Sequence, residues 1–498
     1  MRLSMTQTHF DLFVVGGGIN GTGIAADAAG RGLSVGLCEM GDLAHATSSS
    51  SSKLIHGGLR YLEHYEFRLV KEALNEREVL LKVAPHLVTP MRFQMPHRPH
   101  LRPAWLIRIG MFLYDTLGKR ETLPGSKRVK YGTDSPLKDD ITQGFEYSDC
   151  WVDDARLVVT NALSAQQHGA SIFARTRCSS AKRVDGKWHI ILTDETTHET
   201  TEITANGLVN AAGPWVSSFI ETKVERKAPY GIRMIKGSHI VVPKLYQHSN
   251  AFIMQNTDKR IVFAIPYREN YTLLGTTDVE YKGDPNEVAI SEDETNYILQ
   301  VANDHFKQRL TPNDVVWSYS GVRPLLEDES SDPSAVTRDY TLHLDDDLGA
   351  PLLSIFGGKI TTYRKLALSA MKKLAPFYQQ MGDEWTHSKP LPGGELGLSL
   401  DAYAMKLQQD FPFIGAHLAQ RFANSYGSRS QLILGNLNSV VALGKDFGNE
   451  LYQAEVDYLI EQEWARSAED ILWRRTKLGL EFTDDQVTTL EEYVQSRL

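Results

Sequence analysis

Apolar and polar positions over the first forty residues follow the order strand, helix, strand. An apolar run at 10–15 ends at three glycines, a helical stretch follows at 18–31, and a second apolar run at 33–39 closes on Glu39. Glycines between a strand and a helix, followed about twenty residues later by an acid, are typical of a βαβ unit that binds a dinucleotide. The chain therefore opens with a predicted dinucleotide-binding unit.

The remaining pattern divides the chain into alternating regions. Residues 66–83 show the period of an amphipathic helix, and 231–340 are dominated by strand-like alternation. A buried strand at 352–356 precedes a further helix, and the sequence after the linker at 390–394 is helical. These patterns predict an α/β fold, α+β overall, with a discontinuous Rossmann-like cofactor domain, an inserted β-rich substrate domain and a C-terminal α-helical domain. Their predicted ranges are 1–83 with 150–230 and 341–385, 84–149 with 231–340, and 390–498.

Composition and charge exclude several classes of protein. With 498 residues, 42% hydrophobic and 23% charged, the chain has the composition of a globular protein of two or three domains. A net charge of −9 argues against general nucleic-acid binding. Three cysteines without CxxC spacing predict neither a metal site nor disulfides, and so a reducing, cytoplasmic compartment. No apolar run reaches the roughly 18–20 residues that span a bilayer, and the polar N-terminus does not resemble a signal peptide.

The glycines after the first strand have separate physical roles in a phosphate-binding turn. Gly16 permits the tight turn, Gly18 lets the backbone approach a pyrophosphate, and Gly21 lets the helix pack closely on the strands. The helix N-terminus offers N–H groups and a partial positive charge to phosphates, while Glu39 is placed to hold ribose hydroxyls. An ordinary βαβ turn is the alternative. The candidate contacts in this unit are Gly16, Gly17, Gly18, Asn20, Gly21 and Glu39.

Two further glycine-containing strand ends, at 209–213 and 356–359, indicate flavin rather than a nicotinamide cofactor. A flavin dinucleotide is long and needs backbone contacts at its pyrophosphate and again at its ring system. A nicotinamide cofactor would need a second GxGxxG, which the sequence lacks. A tight turn is the structural alternative for each glycine pair taken singly.

Several segments together closely resemble the aerobic, FAD-dependent glycerol-3-phosphate dehydrogenases of bacteria, over essentially the whole chain. These segments are 16–21, 51–61, 231–239, 275–278, 321–324, 356–363 and 470–480. Membership implies oxidation of sn-glycerol 3-phosphate to dihydroxyacetone phosphate, with FAD reduced and then reoxidised by membrane quinone. It also implies a homodimer. The further FAD contacts that the resemblance implies are Thr47, Ser48, Ser52, Lys53, Leu54, His56, Gly57, Gly213, Gly357, Gly358, Lys359, Thr361 and Thr362.

The implied substrate carries a phosphate dianion, which guanidinium groups bind as bidentate forks. Arg60, Arg323 and Arg338 are the candidates, because each lies in or beside a family motif. A surface or ion-pair role is the alternative for any one of them. Three further residues expected to shape the substrate pocket are Tyr61, Thr276 and Asp278; for the two last, packing is an equally good explanation.

Removal of hydride from C2 of this substrate requires a base that accepts the hydroxyl proton. His239 is the candidate, since an imidazole titrates near neutral pH. A structural histidine in a strand is the alternative, and His56, which the resemblance places near the flavin, is the rival. Lys359 is expected beside the flavin, where a cation stabilises the reduced ring. The predicted catalytic residues are therefore His239, Arg323 and Lys359.

A basic, amphipathic stretch predicts contact with a membrane. Between Arg92 and Lys130 basic residues outnumber acidic ones nine to two, and 103–114 mixes tryptophan, aliphatic and cationic residues. Helices of this kind lie in the headgroup region of anionic membranes. A basic loop over an ordinary buried helix is the alternative. We expect a cytoplasmic protein that binds anionic lipids peripherally on the cytoplasmic face of the inner membrane.

The sequence leaves two other functions open. An oxidase of the same fold would pass electrons to oxygen, with glycerol 3-phosphate or an amino acid as substrate. The basic stretch disfavours a soluble oxidase, and the arginines match a phosphate better than a zwitterion. A flavin-free binding protein on this scaffold is the other alternative, against which the complete glycine turn and the 356–359 motif argue.

Overall fold

A computed structural model describes residues 7–98, 103–118, 120–258, 260–327 and 339–498. The strands, in chain order, are β1 (His9–Val15), β2 (Val35–Glu39), β3 (Leu54–Ile55), β4 (Val88–Pro96), β5 (Lys127–Lys130), β6 (Gln143–Val152), β7 (Ser171–Ala174), β8 (Thr176–Val184), β9 (Lys187–Asp194), β10 (Thr200–Asn210), β11 (Ile232–Pro243), β12 (Ala251–Gln255), β13 (Ile261–Tyr267), β14 (Tyr271–Gly275), β15 (Val279–Tyr281), β16 (Trp317–Leu326), β17 (Thr341–Asp345) and β18 (Leu352–Phe356). The α-helices are α1 (Ile19–Gly30), α2 (Phe67–Val83), α3 (Ala104–Leu117), α4 (Asp154–Gln167), α5 (Val216–Thr222), α6 (Glu292–His305), α7 (Tyr363–Leu374), α8 (Leu400–Asp410), α9 (Ala416–Tyr426), α10 (Ser430–Leu434), α11 (Gln453–Gln462) and α12 (Asp484–Arg497).

The first sheet contains the predicted opening unit. Its strand order is β17, β18, β10, β1, β2 and β7, with β9 and β8 added in turn beside β10. Strand β1 lies parallel to both β2 and β10, and α1 connects β1 to β2. Because α1 is rich in alanine and glycine, it packs closely against α4 and α7 and is almost entirely buried. The N-terminus of α1 thus lies at the carboxyl end of β1, where such sheets bind ligands.

The second sheet is largely antiparallel and supplies the wall opposite the first. Its order is β15, β11, β14, β13, β12, β4, β6 and β3, with β16 beside β11 and β5 beside β6. The β11–β16 pairing runs from Ile232 opposite Leu326 to Val241 opposite Trp317. Since opposed residues of an antiparallel pair face the same side, this register decides which side chains share a face.

The C-terminal helices α8 to α12 pack around a hydrophobic core of their own. Leu407, Phe422, Leu459 and Leu490 are among its buried members. Buried ion pairs join this region to the rest of the molecule, for example Arg156 of α4 with Glu463. Among the helices that the structure describes, none combines the length and the apolar character needed to cross a bilayer.

The predicted fold class, with a Rossmann-like unit, a β-rich region and C-terminal helices, is confirmed. The opening strand, helix and strand were predicted within a few residues of their observed ends. Strand β3 lies in the range assigned to the cofactor domain but pairs with β6 of the second sheet, and β6 itself crosses the boundary at 149 and 150. The domain boundaries therefore stay a prediction.

We expect Glu76→Leu to lower the free energy of unfolding by about 3–5 kcal/mol, because it leaves the buried guanidinium of Arg364 without its partner. In the native protein Nε of Arg364 donates to Glu76 at 2.8 Å, and both side chains are almost fully buried. The matched control is Lys406→Ala, which breaks the half-exposed pair with Asp410 and should cost about 0.5 kcal/mol or less. Urea unfolding followed by tryptophan fluorescence compares the two, and equal losses would contradict the assignment.

Candidate active site

The candidate active site is a cavity of about 290 Å³, which we call the first cavity. Its wall comes from β11, β16, the turn after β14, the turn after β18 and the segment 47–61. His239, Arg323 and Lys359 line it together. The sheet register thus brings together three residues that are far apart in the sequence.

Two glycines leave a bare strip of backbone between His239 and Arg323. Gly237 of β11 lies opposite Gly321 of β16, and all four residues line the first cavity. A Cβ atom on Gly237 would collide with Nη2 of Arg323 and lie 2.7 Å from Oγ1 of Thr276. The guanidinium therefore occupies space that a side chain at 237 would fill.

His239 is buried, and its environment keeps the imidazole neutral. Its Nε2 lies 2.9 Å from Oγ of Ser52, and its ring stacks on Tyr319 with centroids 4.8 Å apart. Burial lowers the pKa of His239 well below that of a free imidazole, and the positive charges of Arg323 and Lys53 lower it further. At neutral pH the ring is unprotonated and able to accept a proton.

Arg323 is held by the turn that follows β14. Its guanidinium pairs with the carboxylate of Asp278, and Nη2 donates to Oγ1 of Thr276 at 3.2 Å and to the carbonyl of Thr277 at 3.3 Å. About a quarter of the side chain is exposed. The fork is thus fixed in direction and still reachable from the cavity.

Two further cations line the first cavity. Nζ of Lys359 lies 3.8 Å from the centroid of the Tyr61 ring, which holds the ammonium group by a cation–π contact. Arg60 also lines the cavity and forms no hydrogen bond or ion pair with a described residue. The cavity is therefore suited to an anionic ligand.

A second cavity, of about 360 Å³, also borders the glycine turn before α1, and Glu39 is one of its lining residues. The carboxylate of Glu39 accepts hydrogen bonds from the backbone N–H groups of Gly17 at 2.7 Å and Gly41 at 2.8 Å. Although burial by itself raises the pKa of Glu39, bonding to His45 and to these amides lowers it overall. The carboxylate is therefore ionised and retains lone pairs for hydroxyl groups.

The two cavities adjoin each other and together have the properties that an extended dinucleotide requires. Lining residues common to both are Gly18, Thr47, Ser48, Ala211 and Gly213. Oδ1 of Asn20 is buried beside the first cavity without a partner among the described residues. Gly358, with φ of +105°, leaves no room for a Cβ atom, which would lie 2.9 Å from Nδ2 of Asn20. These observations fit FAD.

The candidate residues fall into three groups by position. Those lining the first cavity are Gly18, Asn20, Thr47, Ser48, Ser52, Leu54, His56, Arg60, Tyr61, Gly213, His239, Thr276, Asp278, Arg323, Gly357, Gly358, Lys359 and Thr361. Gly16 and Glu39 line the second cavity. Candidates that line neither are Gly17, Gly21, Lys53, Gly57 and Thr362. Arg338 lies outside the described residues.

The candidates outside the cavities have structural partners instead. Nζ of Lys53 is buried against the carboxylate of Asp154, with contacts of 2.9 and 3.0 Å. The N–H of Gly57 donates to Oη of Tyr114 at 2.8 Å. A Cβ atom on Gly21 would collide with the carbonyl of Gly16, so this glycine permits close packing, as expected.

Sequence reasoning did not single out several residues of the site. Tyr319 supports the imidazole, His45 pairs with Glu39, and Gly237 and Gly321 form the bare strip. The two glycines carried a usable signal, because a glycine inside a strand often marks a close approach. Tyr319 and His45 carried none, since their roles depend on contacts between distant segments.

Comparison with known proteins agrees with this geometry. Residues 11–364 match the family model described as FAD dependent oxidoreductase, and 385–496 match that of the C-terminal domain of alpha-glycerophosphate oxidase. Aerobic glycerol-3-phosphate dehydrogenase of Escherichia coli strain K12 is 58% identical, covering 98% of both chains. Glycerol-3-phosphate dehydrogenase of Pseudomonas aeruginosa is 60% identical, covering 99% of this chain and 98% of the relative.

A solved structure extends the agreement to three dimensions. The glycerol-3-phosphate dehydrogenase of Bacillus halodurans, complexed with FAD, superposes with a TM-score of 0.73 at 26% identity, covering 99% of this chain and 95% of that one. Fold and site together define a flavin-dependent oxidoreductase. The chain belongs to the family of FAD-dependent oxidoreductases, and within it to the glycerol-3-phosphate dehydrogenases. The resemblance inferred from the sequence motifs is confirmed.

We expect Gly358→Ala to weaken FAD binding about tenfold, or about 1.4 kcal/mol, because the added methyl group collides with Asn20. Gly349→Ala is the matched control: its φ of +100° imposes the same backbone strain, but a Cβ atom there meets only Cα of Gly186, at 3.9 Å. Titration of the apoproteins with FAD, followed by flavin fluorescence, measures both affinities. Equal weakening in the two variants would show that strain alone, and not the collision, is responsible.

Proposed function

We propose that His239, Arg323 and Lys359 form the catalytic centre in which this FAD-dependent glycerol-3-phosphate dehydrogenase oxidises sn-glycerol 3-phosphate to dihydroxyacetone phosphate. The observation that supports these roles is the meeting of a neutral, buried imidazole with a positioned guanidinium in one cavity. The reaction needs both groups, because one must accept a proton while the other binds a dianion.

Arg323 binds the substrate phosphate in this proposal. Asp278 and Thr276 fix the direction of its guanidinium before the ligand arrives, so little side-chain entropy is lost on binding. Arg60, in the segment 47–61 of the wall, supplies a second positive charge, and Lys359 a third. These three cations, less the carboxylate of Asp278, balance a phosphate dianion, which leaves the cavity close to neutral when the substrate is bound.

His239 accepts the proton of the C2 hydroxyl at Nε2. That nitrogen lies beside Oγ of Ser52, which also lines the first cavity. Stacking on Tyr319 keeps the ring in place while it changes protonation state. The dianion of the substrate offsets the positive charge of Arg323, and so raises the basicity of the imidazole when it is needed.

FAD, when bound, supplies the acceptor for the hydride that leaves C2. The residues that would hold it are the turn after β1, Asn20, Glu39, the cavity-lining residues of segment 47–56 and the turn after β18. Lys359 directly follows the two glycines of that last turn and contributes a positive charge. The cation–π contact with Tyr61 keeps this charge at the cavity wall.

We further propose that electrons leave to a membrane quinone and that α3 contacts the anionic lipids of the inner membrane, on its cytoplasmic face. Trp105, Leu106, Ile109 and Phe112 of α3 are exposed, the first and last by 63% and 66%. The opposite face of α3, with Ile107, Met111 and Tyr114, is buried. Exposed basic residues nearby in the sequence are Arg108, Lys127, Arg128 and Lys130.

The buried face of α3 is tied to the wall of the active site through Tyr114. Oη of Tyr114 donates to the carboxylate of Asp149 at 2.7 Å and accepts from the N–H of Gly57 at 2.8 Å. Gly57 is the neighbour of His56, which lines the first cavity. This contact supports a short route between the flavin site and the lipid surface. The expected homodimer stays a prediction.

We expect His239→Asn to lower kcat by about 10²- to 10⁴-fold, the usual contribution of a general base, while flavin absorbance is retained. His305→Asn is the control, because His305 is buried in α6 and lines neither cavity. Anaerobic reduction of bound FAD by sn-glycerol 3-phosphate measures the rate. A near-normal rate of flavin reduction in His239→Asn would exclude His239 as the base and leave His56 as the candidate. In a separate test of the native protein, stoichiometric release of peroxide during turnover in air would indicate an oxidase.

We expect the double variant Trp105→Ser and Phe112→Ser to lose most binding to vesicles of anionic phospholipid, since it removes two exposed aromatic side chains from α3. Dye-coupled activity in solution should not change. The matched control, Leu432→Ser with Val441→Ser, removes two exposed apolar side chains from the C-terminal region, Leu432 being exposed to nearly the same degree as Trp105 and Val441 more so. Sedimentation with vesicles measures binding, and undiminished sedimentation of the α3 variant would place the lipid contact elsewhere.

A further inference from the structure

One π-helical turn of the C-terminal region, Asp470–Arg475, contacts residues that support both cavities, namely Asp42 and Trp317. Arg474 and Arg475 reach the segment 40–48, which we call the cofactor loop and which lines the second cavity. Trp473, the residue before them, lies against the second sheet. The turn therefore touches two sites that the sequence places more than 200 residues apart.

The contact with the cofactor loop is a buried cluster of charges around Asp42. Nε of Arg474 donates to Oδ2 of Asp42 at 2.6 Å, while Arg475 grips the same carboxylate with both terminal nitrogens, at 2.7 and 2.8 Å. The side chains of Asp42 and Arg475 are almost fully buried. A carboxylate held by two guanidinium groups in a low-dielectric interior has one position only.

Asp470 completes the cluster from within the turn. It pairs with Arg474 and with Arg175, whose own N–H donates to the carbonyl of Gly41 in the cofactor loop at 2.9 Å. Although burial favours the neutral acid, these guanidinium groups and that of Arg475 lower the pKa of Asp470 to about 2. The carboxyl group of Asp470 is thus ionised at neutral pH.

Anchoring Asp42 also anchors the lining of the second cavity. The carbonyl of Asp42 accepts from the N–H of His45, and the N–H of Ala44 donates to the carbonyl of Gly17. His45 pairs with Glu39, and its ring faces Trp215 at 6.4 Å. A shift of Asp42 therefore moves the residues that surround Glu39.

The contact with the second sheet is a continuous stack of rings that ends at the candidate base. Trp473 stacks on Trp317 with centroids 4.2 Å apart, Trp317 packs on Tyr319 at 5.0 Å, and Tyr319 stacks on His239 at 4.8 Å. Trp317 and Tyr319 point to the same face of β16, two residues apart. Each ring limits the orientations open to the next.

We propose that the turn Asp470–Arg475 is the positioning element of the active site. Its arginines hold the cofactor loop in the shape that binds FAD, and its tryptophan holds His239 in the orientation that accepts the proton. The second half of this proposal rests on the proposed role of His239. The C-terminal region is thereby assigned a role in the chemistry, although none of its residues lines either cavity.

The experiment compares two variants of neighbouring residues with two readouts. Arg475→Leu should weaken FAD binding about 3- to 30-fold, the range for residues that act without touching the ligand, and leave kcat at saturating FAD within about twofold. Trp473→Ala should leave FAD affinity unchanged and lower kcat by about 10- to 100-fold through loss of orientation. Flavin fluorescence titration of the apoprotein gives the affinity, and anaerobic flavin reduction gives the rate.

Two controls separate positioning from general stability. Arg421→Met breaks another fully buried pair in the C-terminal region, with Glu455, and should change neither readout although it lowers the melting temperature. Arg475→Lys keeps a positive charge at position 475 beside Asp42. It should therefore recover part of the FAD affinity that Arg475→Leu loses. If Arg421→Met weakens FAD binding as much as Arg475→Leu, the effect is one of stability and the first half of the proposal is overturned.

The positioning role of the ring stack and the role of His239 as base can be disproved independently. If Trp473→Ala keeps normal kcat while His239→Asn abolishes turnover, the stack has no positioning role but the proposed function stands. If both variants keep normal kcat, the assignment of His239 is wrong, and the second half of the proposal falls with it. The result for Arg475 is independent of either outcome, because its readout is FAD affinity.

Discussion

The pairing of β11 with β16 is the constraint on which the active site depends. It sets Gly237 opposite Gly321 as a floor between His239 and Arg323, and the guanidinium and Ser50 pack directly on these two glycines. In the proposed function, a base and a phosphate-binding cation must lie close enough to bind one small substrate. A side chain at position 237 would displace the guanidinium, and a side chain at position 321 would collide with Ser50.

Buried charges hold the parts of the molecule around this floor. Lys53 pairs with Asp154, Arg156 with Glu463, and Asp42 with two arginines, all in the interior. Such pairs contribute little net stability, because desolvation offsets most of their attraction. They do fix geometry, since an ion moved away from its partner would be left uncompensated in a low dielectric. Their placement at joints between segments suits a site assembled from distant parts of the chain.

The electrostatics of the first cavity also depend on the balance between desolvation of charged groups and their attraction to partners. His239 is buried beside Arg323 and Lys53, so the neutral imidazole is favoured before the substrate arrives. Arg323 is meanwhile paired with Asp278, which keeps the guanidinium oriented without enclosing it. Binding of a dianion changes the field at both groups at once. In the proposed function, substrate binding and proton transfer are therefore linked through one set of charges.

Local chemistry was readable from the sequence wherever a single segment carries the whole feature. The turn at Gly16 to Gly21, the amphipathic character of α3 and the glycines before Lys359 each depend on a few consecutive residues. Lys53 shows the limit. It lies in a motif, yet its ammonium group turns to Asp154, a partner about a hundred residues away, and lines neither cavity. The partner of a buried charge cannot be deduced from its own neighbours in the chain.

The sequence by itself determined the fold class, the dinucleotide cradle and the residue types proposed for the catalytic centre, because periodicity and turn chemistry act over short distances. Only the tertiary structure decided which strands become neighbours, and hence that Gly237 faces Gly321 and that Trp473 lies on Trp317. Those contacts join segments that are distant in the sequence and are brought together by packing of the whole core. Strand register and buried ion pairs are settled by that packing, and no local pattern encodes them.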